Sequence, residues 1–298
     1  MSKPLSTNKL DQIAIIGVGL LGGSIGLGLR AAGFTGRRVG IGRRMPRLER
    51  AIEMGAVDEA TQDVRQGVAQ ADLVILCTPI GQFEGIIRTL RDALAPGTLV
   101  TDVGSTKAEV VRLAGKWLPP TIRFIGSHPM AGSEKTGVEF ARADLFQRAL
   151  CLITPTPRCK PETVNEIRTF WESLGGRTQM MTPRRHDALL ARVSHLPHAV
   201  ATALVQLALS DSAIDLAGPG FADTTRIASG DAGLWTDIFR TNREAVCKAV
   251  DRLIAELSRF RRRLASDEAE AIYKWLESSQ LERDDWIKRR YRKQELPP

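Results

Sequence analysis

The sequence predicts an α/β protein in two domains, with a parallel sheet alternating with helices over residues 1–183 and an all-helical domain over residues 184–298. Three observations lead to this prediction. A chain of 298 residues exceeds the usual span of one hydrophobic core. Short apolar runs alternate with amphipathic stretches in the first part, as in parallel sheets with crossover helices. After Pro183 the apolar residues recur with helical periodicity, and strand alternation disappears.

Each strand of the predicted sheet is a short apolar run. The runs cover residues 13–16, 38–41, 73–77, 98–103, 123–125 and 149–153. Amphipathic stretches such as residues 47–54 and 83–94 lie between several of them and predict the connecting helices. In the second part the helical pattern covers residues 184–210, 236–264 and 268–278. Between them, residues 216–233 predict an irregular connection long enough to have a function.

The composition is that of a folded soluble protein, with 43% apolar and 26% charged residues. No secretory signal is recognisable, and no segment reaches the roughly 18 apolar residues that a membrane span requires. The cysteines lack C-x-x-C spacing, which predicts reduced thiols rather than a zinc site or a disulfide framework. We therefore expect a cytoplasmic protein that does not bind a membrane.

Basic residues give the chain a formal charge of +8, concentrated in residues 261–263 and 288–293. Such runs are usually solvated helix faces, and no nucleic-acid module accompanies them, so we expect no nucleic-acid partner. An interaction arm formed by residues 288–293 is the alternative. The positive field favours anionic small-molecule substrates and cofactors.

A glycine fingerprint follows the first predicted strand and opens a helix, in the stretch GVGLLG at residues 17–22. Gly17 permits the tight turn, Gly19 lets the backbone approach a pyrophosphate, and Gly22 lets the helix pack on the strand. Leu20 and Leu21 begin the helix, whose free N–H groups and dipole favour phosphate. The position predicts a Rossmann-like dinucleotide-binding domain.

The end of the second strand indicates which cofactor binds. NAD enzymes usually place a carboxylate about 20 residues beyond the fingerprint, on the ribose hydroxyl. Here the stretch reads GIGRR, ending in Arg43 and Arg44. A guanidinium can pair with a 2′-phosphate through a planar fork, so the sequence favours NADP, with NAD as the alternative.

Three predicted strand ends carry polar residues toward the crevice where a nicotinamide would lie: Thr78 with Pro79, the DVGSTK stretch with Ser105, and the SHP stretch with His128. A histidine in such a crevice can accept a hydroxyl proton as hydride leaves, because its usual pKa is close to neutral pH. The alternative for His128 is a hydrogen-bonded structural role.

Two more histidines, His195 and His198, lie three residues apart near one face of a predicted helix, which Pro197 kinks or ends. A metal is not expected, because no cluster of carboxylate or cysteine ligands accompanies them. In the irregular connection, Arg226 offers a bidentate donor for a substrate carboxylate, and Asp223 is placed to orient it. An Arg–Asp pair that only fixes the loop is the alternative.

Taken together, these motifs resemble the prephenate/arogenate dehydrogenase family. The resemblance rests on the fingerprint, DVGSTK, GSHPMAGSEKTG, VSHLPHAVA, GFADTTRIA and LWTDIF, which span residues 13 to about 245. It implies a helical C-terminal domain that forms a homodimer. It also implies the oxidative decarboxylation of prephenate to 4-hydroxyphenylpyruvate, or of arogenate to tyrosine, in tyrosine biosynthesis.

The resemblance also implies roles for individual residues. His128 matches the catalytic histidine that hydrogen-bonds the ring hydroxyl, and Ser105 matches the serine that positions this hydroxyl. Arg226 matches the arginine that binds a substrate carboxylate. The remaining matches concern the walls of the substrate site: His195, His198, Trp235, Ser133, the polar gate Glu134, and the loop residues Gly220 and Asp223 that are lent across the dimer.

Alternatives stay open at this point. A β-hydroxyacid dehydrogenase would share the plan, but it uses a catalytic lysine where residues 184–210 contain none. A protein that senses NADP without catalysis would share the fold, because fold does not fix function. Between the substrates, Glu134 favours the amine of arogenate, Lys135 beside it could neutralise that effect, and acceptance of both is possible.

Overall fold

The computed structural model describes residues 10–132, 135–210 and 213–295. The chain divides into two compact units, Met1–Val246 and Cys247–Pro298. The larger unit begins with a six-stranded sheet in the order β3-β2-β1-β4-β5-β6, in which all paired strands are parallel. Its strands are β1 (Gln12–Ile16), β2 (Arg37–Ile41), β3 (Glu59–Thr61), β4 (Leu73–Leu76), β5 (Leu99–Asp102) and β6 (Arg123–Phe124).

Helices cover both faces of the sheet, and all but the last of them connect its strands. They are α1 (Leu20–Ala31), α2 (Met45–Glu53), α3 (Val64–Val68), α4 (Phe83–Leu90), α5 (Ala108–Trp117) and α6 (Pro161–Ser173). Successive side chains of a strand point to opposite faces, so β1 divides its residues between two cores. Ile13 and Ile15 belong to one core, and Ala14 and Ile16 to the other. The predicted parallel sheet with covering helices is confirmed.

A second, three-stranded sheet carries the histidine motif. It consists of β7 (Gly126–Pro129), which is antiparallel to β8 (Leu150–Thr154), and of β9 (Arg177–Met180), which is parallel to β8. The expectation that His128 lies at the end of a strand in the main sheet is wrong, because His128 is the third residue of β7 and pairs with Leu152. Residues 149–153 are a strand as predicted, but of this second sheet.

Helices dominate the described residues from Pro183 onward. They are α7 (Pro183–Leu190), α8 (Leu196–Ser210), α9 (Pro219–Thr225), α10 (Ala232–Thr241), α11 (Arg243–Ala265) and α12 (Ala269–Glu295). A π-helical turn, Ala191–His195, joins α7 to α8. The connection expected to be irregular at residues 216–233 contains α9 and the 3₁₀ turn Arg226–Ser229 instead. The domain division at residue 183 stays a prediction.

The smaller unit contains most of α11 and all of α12. Phe260 stacks on Trp275 with 5.0 Å between ring centroids, and Trp275 Nε1 donates to Glu256 Oε1 at 2.7 Å. Large apolar side chains nevertheless remain exposed on both helices: Ile254, Leu257, Leu264, Tyr273, Leu276, Leu281 and Trp286.

One helical stretch, Pro183–Leu209, is long and apolar enough to cross a membrane by length and composition, although the sequence predicted no such segment. This stretch also contains the buried polar side chains of His186, Asp187, His195 and His198. Buried polar side chains require hydrogen-bonding partners within the protein, as in the core helix of a folded domain.

Candidate active site

The turn between β1 and α1 admits only glycine at its first position. Gly17 has φ +100°, and a Cβ there would lie 2.8 Å from the carbonyl carbon and oxygen of Cys77. A Cβ on Gly22 would lie 2.2 Å from the carbonyl oxygen of Gly17. Both distances are below van der Waals contact, so these two glycines let α1 start directly against the strand ends.

The same turn leaves room for a phosphate group. A Cβ on Gly19 would meet no atom within 4 Å, and Gly19 begins α1 without a side-chain cap. Opposite Gly17, Thr78 Oγ1 is buried and has no hydrogen-bond partner within the described part of the chain. Open space, uncapped N–H groups beginning at Leu20 and Leu21, and an unsatisfied hydroxyl all fit a dinucleotide.

Arg43 and Arg44 lie exposed just after β2, near the fingerprint turn, because the Gly17 N–H donates to the Ile41 carbonyl at 2.8 Å. Within the described ranges, neither guanidinium makes a hydrogen bond or an ion pair. Gln62 Nε2 donates to the backbone carbonyl of Arg43 at 2.7 Å and holds this loop. Both cationic groups are therefore available to an anion.

His128 contacts a second histidine, His186, which lies outside the sequence motifs. His128 Nδ1 lies 2.9 Å from His186 Nε2, and His186 Nδ1 lies 2.8 Å from Asp187 Oδ1. Asp187 also accepts the backbone N–H groups of Lys107 and Ala108, each at 2.8 Å, at the N-terminus of α5. A chain of three side chains thus runs from β7 to the start of α5.

Burial keeps these imidazoles neutral. It lowers the pKa of His128 well below the usual 6.5, and the neighbouring His186, Lys107 and His195 lower it further. Burial likewise lowers the pKa of His186, although Asp187 opposes this effect. A neutral imidazole has one bare nitrogen, which is the form that a general base requires.

His195 is fixed by Asn242, which follows α10. Asn242 Nδ2 donates to the backbone carbonyl of Asp187 at 2.9 Å and lies 3.1 Å from His195 Nδ1. An amide nitrogen only donates, so His195 Nδ1 accepts and the ring proton is on Nε2. Burial lowers the pKa of His195 to about 4. His195 therefore offers a hydrogen-bond donor, where His128 offers an acceptor.

His198 and Trp235 form an aromatic wall. Their rings stack 3.6 Å apart at an interplanar angle of 13°, and Phe239 lies 6.1 Å from the His198 ring. The Trp235 ring also meets His195 edge to face at 6.2 Å. His198 Nδ1 is buried without a hydrogen-bond partner among the described residues, so it is free to bind a polar group.

The β5–α5 turn carries Ser105, half-buried, beside a buried ion pair between Asp102 and Lys107. Asp102 additionally accepts the backbone N–H groups of Gly104 at 2.8 Å and Ser127 at 3.2 Å. The ion pair therefore ties this turn to β7, the strand that presents His128. Thr106 Oγ1 lies 2.9 Å from Thr241 Oγ1 and joins the same turn to α10.

Among the described residues, the other predicted site residues make no hydrogen bond to this cluster. Arg226, Asp223 and Gly220 are exposed, and no described contact connects Asp223 with Arg226. The expectation that Asp223 orients Arg226 is therefore wrong for this structure, because both side chains point to solvent without pairing. Pro79 is exposed at the end of β4. Ser133 and Glu134 lie outside the described residues.

Three residues of the cluster escaped prediction: His186, Asp187 and Asn242. Helical spacing could have indicated Asp187, because residues 187, 195 and 198 are eight and eleven positions apart and share a helix face. Nothing local marks Asn242, which reaches His195 across 47 residues. No group of three metal-ligating side chains occurs in the parts of the chain that are described.

Comparison with known proteins identifies the family of the chain. Residues 25–180 match the family model of the prephenate dehydrogenase nucleotide-binding domain, and residues 182–278 match that of the prephenate dehydrogenase dimerization domain. The chain belongs to the prephenate dehydrogenase family. The resemblance noted from the motifs is confirmed, and with it the oxidoreductase class and the oxidative decarboxylation of tyrosine biosynthesis.

Known relatives of this dehydrogenase cover most of its length. Prephenate dehydrogenase of Bacillus subtilis is 33% identical over 280 residues, which are 92% of this chain and 76% of the relative. The structure of prephenate dehydrogenase from A. aeolicus with hydroxyphenyl propionate and NAD+ has a TM-score of 0.83 at 32% identity, covering 92% and 98% of the two chains. Arogenate dehydrogenase from Synechocystis has a TM-score of 0.81 at 31% identity, covering 92% and 99%.

Proposed function

We propose that His128 is the general base of this dehydrogenase and that the substrate is prephenate, arogenate or both. One observation carries this proposal: a half-buried imidazole, kept neutral by burial, is fixed through Nδ1 by a second histidine. A base fixed in this way is preorganised, because neither its ring orientation nor its protonation has to change before reaction.

The reaction places defined demands on these residues. The nicotinamide supplies a hydride acceptor when it is bound. The proton of the ring hydroxyl passes to His128 Nε2 as C4 loses its hydride and becomes a carbonyl carbon. The bond from C1 to the ring carboxylate then breaks, its electron pair moves through the ring to the C4 oxygen, which takes back a proton, and carbon dioxide leaves. Ser105, at the neighbouring turn, holds the hydroxyl in position.

Substrate binding uses the other predicted residues. Arg226 binds a carboxylate through its planar fork, and its 3₁₀ turn packs on α8, the helix that carries His198. His195 donates from Nε2, while His198 and Trp235 form an apolar wall against the ring. The family resemblance assigns Ser133 and Glu134 to the part of the site that takes the side chain of the substrate, and Gly220 and Asp223 to a loop lent across a dimer.

For the cofactor we propose NADP in preference to NAD. The two unpaired guanidinium groups of Arg43 and Arg44 support it, together with the lack of a carboxylate at residues 42–44. Kinetics of prephenate and arogenate with NAD and with NADP test this assignment. Arg43→Ala should raise the KM for NADP at least tenfold and leave that for NAD unchanged. Arg47→Ala, on the exposed side of α2, is the matched control, and an unchanged KM in Arg43→Ala contradicts the proposal.

We further propose a homodimer in the cytoplasm. The match to a dimerization domain and the exposed apolar side chains of α11 and α12 support the dimer. The absence of disulfides among the described cysteines supports a reducing compartment. Analytical ultracentrifugation tests the dimer, and a monomer at micromolar concentration would exclude it.

Replacement of the base tests the catalytic assignment. His128→Asn removes the imidazole but retains a polar side chain, so kcat should fall by about 10² to 10⁴. Binding of NADP and the thermal midpoint should stay at wild-type values, because the cofactor turn lies on other strands. A variant that keeps full activity would exclude His128 as the base.

A further inference from the structure

His186 hydrogen-bonds to His128, and Asp187 hydrogen-bonds to His186. The donors and acceptors around these side chains determine which atoms carry protons. Asp187 Oδ1 accepts the Lys107 N–H and Oδ2 accepts the Ala108 N–H, so the carboxylate is an acceptor at both oxygens. The ring nitrogen of His186 that lies 2.8 Å from Oδ1 must therefore donate. The proton of His186 is on Nδ1.

The second nitrogen of His186 then determines the state of His128. His186 is fully buried, and burial disfavours its charged form, so its Nε2 is bare and accepts a hydrogen bond. His128 Nδ1, 2.9 Å away, has to be the donor of that bond. The remaining nitrogen of His128, Nε2, is left without a proton.

We propose that His186 and Asp187 are positioning residues that hold His128 in its Nδ1–H tautomer, with Nε2 free to accept a proton. Only the identity of the hydroxyl that gives up this proton rests on the proposed function. The tautomer is a property of the free chain. Without an acceptor at position 186, His128 is free to carry its proton on Nε2, and in that form it cannot act as a base.

The same hydrogen bonds also stabilise His128 after it has accepted the proton. Once His128 is doubly protonated, its Nδ1–H still donates to His186, whose own Nδ1–H points to the Asp187 carboxylate. The new positive charge is thereby connected to a fixed negative charge through one ring. Lys107 would otherwise repel it, because Lys107 lies close enough to disfavour a charged His128.

Nitrogen NMR of the free protein tests the tautomer directly, because the chain contains only four histidines. With ¹⁵N-labelled histidine, we expect Nδ1–H and bare Nε2 for both His128 and His186, and the opposite pattern for His195. In His186→Phe, which keeps a ring but has no acceptor, the proton of His128 should move to Nε2. A wild-type His128 that carries its proton on Nε2 would overturn the proposal, whatever the activity.

Kinetics of two variants give a second, independent test. In His186→Gln the amide oxygen can take the place of Nε2 as acceptor, whereas His186→Phe offers none. We expect kcat to fall by roughly 10² to 10⁴ in the phenylalanine variant, with KM nearly unchanged. The glutamine variant should recover most of the lost kcat. Equal losses in both would contradict a positioning role.

Controls distinguish a failure of this proposal from a failure of the proposed function. NADP binding and thermal melting report whether each variant folds, and wild-type NMR decides the tautomer even if neither variant folds. A wild-type protein that turns over neither prephenate nor arogenate would refute the proposed function and leave the NMR result intact.

Discussion

Buried neutral histidines are the acid–base groups of the candidate site. Burial lowers the pKa of all four histidines in the chain, because the charged imidazolium loses hydration that the protein only partly replaces. A lower pKa makes His128 a weaker base but keeps it unprotonated at neutral pH. A weak base is sufficient here, because hydride loss acidifies the hydroxyl and formation of the aromatic ring makes the reaction irreversible.

The pH dependence of kcat/KM should report the lowered pKa of His128. The base must be neutral, so activity is retained as pH falls through 6.5 and is lost only when pH falls through the lower pKa of the folded enzyme. Lys107 nearby also disfavours protonation of this ring. An acid limb at or above pH 6.5, in a protein shown to be folded by circular dichroism, would contradict this expectation.

For single residues, the sequence identifies candidate catalytic and cofactor-binding residues better than it identifies the residues that hydrogen-bond to them. His128 and the fingerprint glycines stand in motifs whose residue types are unusual enough to be noticed. His186 contacts His128 across 58 residues, Asp187 contacts the Lys107 N–H across 80 and Asn242 contacts His195 across 47, and no local pattern encodes these bonds. Asp223 shows the converse, since a spacing that permits an ion pair with Arg226 does not produce one.

At the scale of single elements, the π turn before α8 accommodates Pro197. The N–H of Leu196 donates to the carbonyl of Ala191, five residues back, which is the π pattern. Proline lacks an N–H and its ring clashes with the preceding turn of a regular α-helix, so the wider turn relieves a conflict. His195 is the last residue of this turn, and its direction toward Asn242 depends on it.

Two glycine substitutions, at the start of α1 and within it, should affect cofactor binding and stability separately. Gly19→Ala adds a Cβ into open space, so it should leave the thermal midpoint nearly unchanged but raise the Kd for NADP at least tenfold, because the Cβ occupies the place of a phosphate. Gly26→Ala puts a Cβ 1.8 Å from the Ala56 carbonyl oxygen and should destabilise by about 1–3 kcal/mol. Calorimetry and cofactor titration check the pair. Unaltered NADP binding by Gly19→Ala would contradict the assignment of the phosphate site.

Strands were predicted well where they are long and apolar, and missed where they are short or polar. The runs that form β1, β2, β4, β5 and β8 are largely buried, so their composition identifies them. β6 has only two half-buried residues and is the shorter remnant of the predicted run 123–125. β3 and β9 have three and four residues and are largely polar, while β7 consists of glycine, serine, histidine and proline. These three strands form because neighbouring strands supply hydrogen bonds, and a single sequence does not display that.

Across the whole molecule, buried histidines make the fold sensitive to acid. The pKa of His195 is about 4 in the folded state and near 6.5 when unfolded, so between these values the unfolded chain binds the proton more strongly. The free energy of unfolding should therefore fall as pH decreases from 6.5 to 4, by on the order of 3 kcal/mol from this residue. Urea unfolding at pH 7 and at pH 4.5 measures the loss. His195→Gln should flatten the dependence, and a wild-type midpoint independent of pH would refute the expectation.

The fold class followed from the sequence because two independent signals agree on it. Strand–helix alternation and a fingerprint at the first turn both require a parallel sheet with its cofactor at one edge. The second sheet breaks the alternation, because β7 turns antiparallel to β8 one residue after β6 ends at Phe124. The direction in which β7 runs depends on how the second sheet packs, and the residue types of β7 do not indicate it.

Asp187 combines duties that an engineer would want to keep separate. Its carboxylate anchors the helix that follows Ser105 and orients His186, while its backbone carbonyl fixes the amide that sets His195. Directed evolution toward a new ring substrate can therefore vary residues of the proposed substrate wall, such as Trp235, while keeping position 187 fixed. A library that includes position 187 would disturb the oxidation geometry, the proton acceptor and the pocket donor in the same clones, and few of them would remain active.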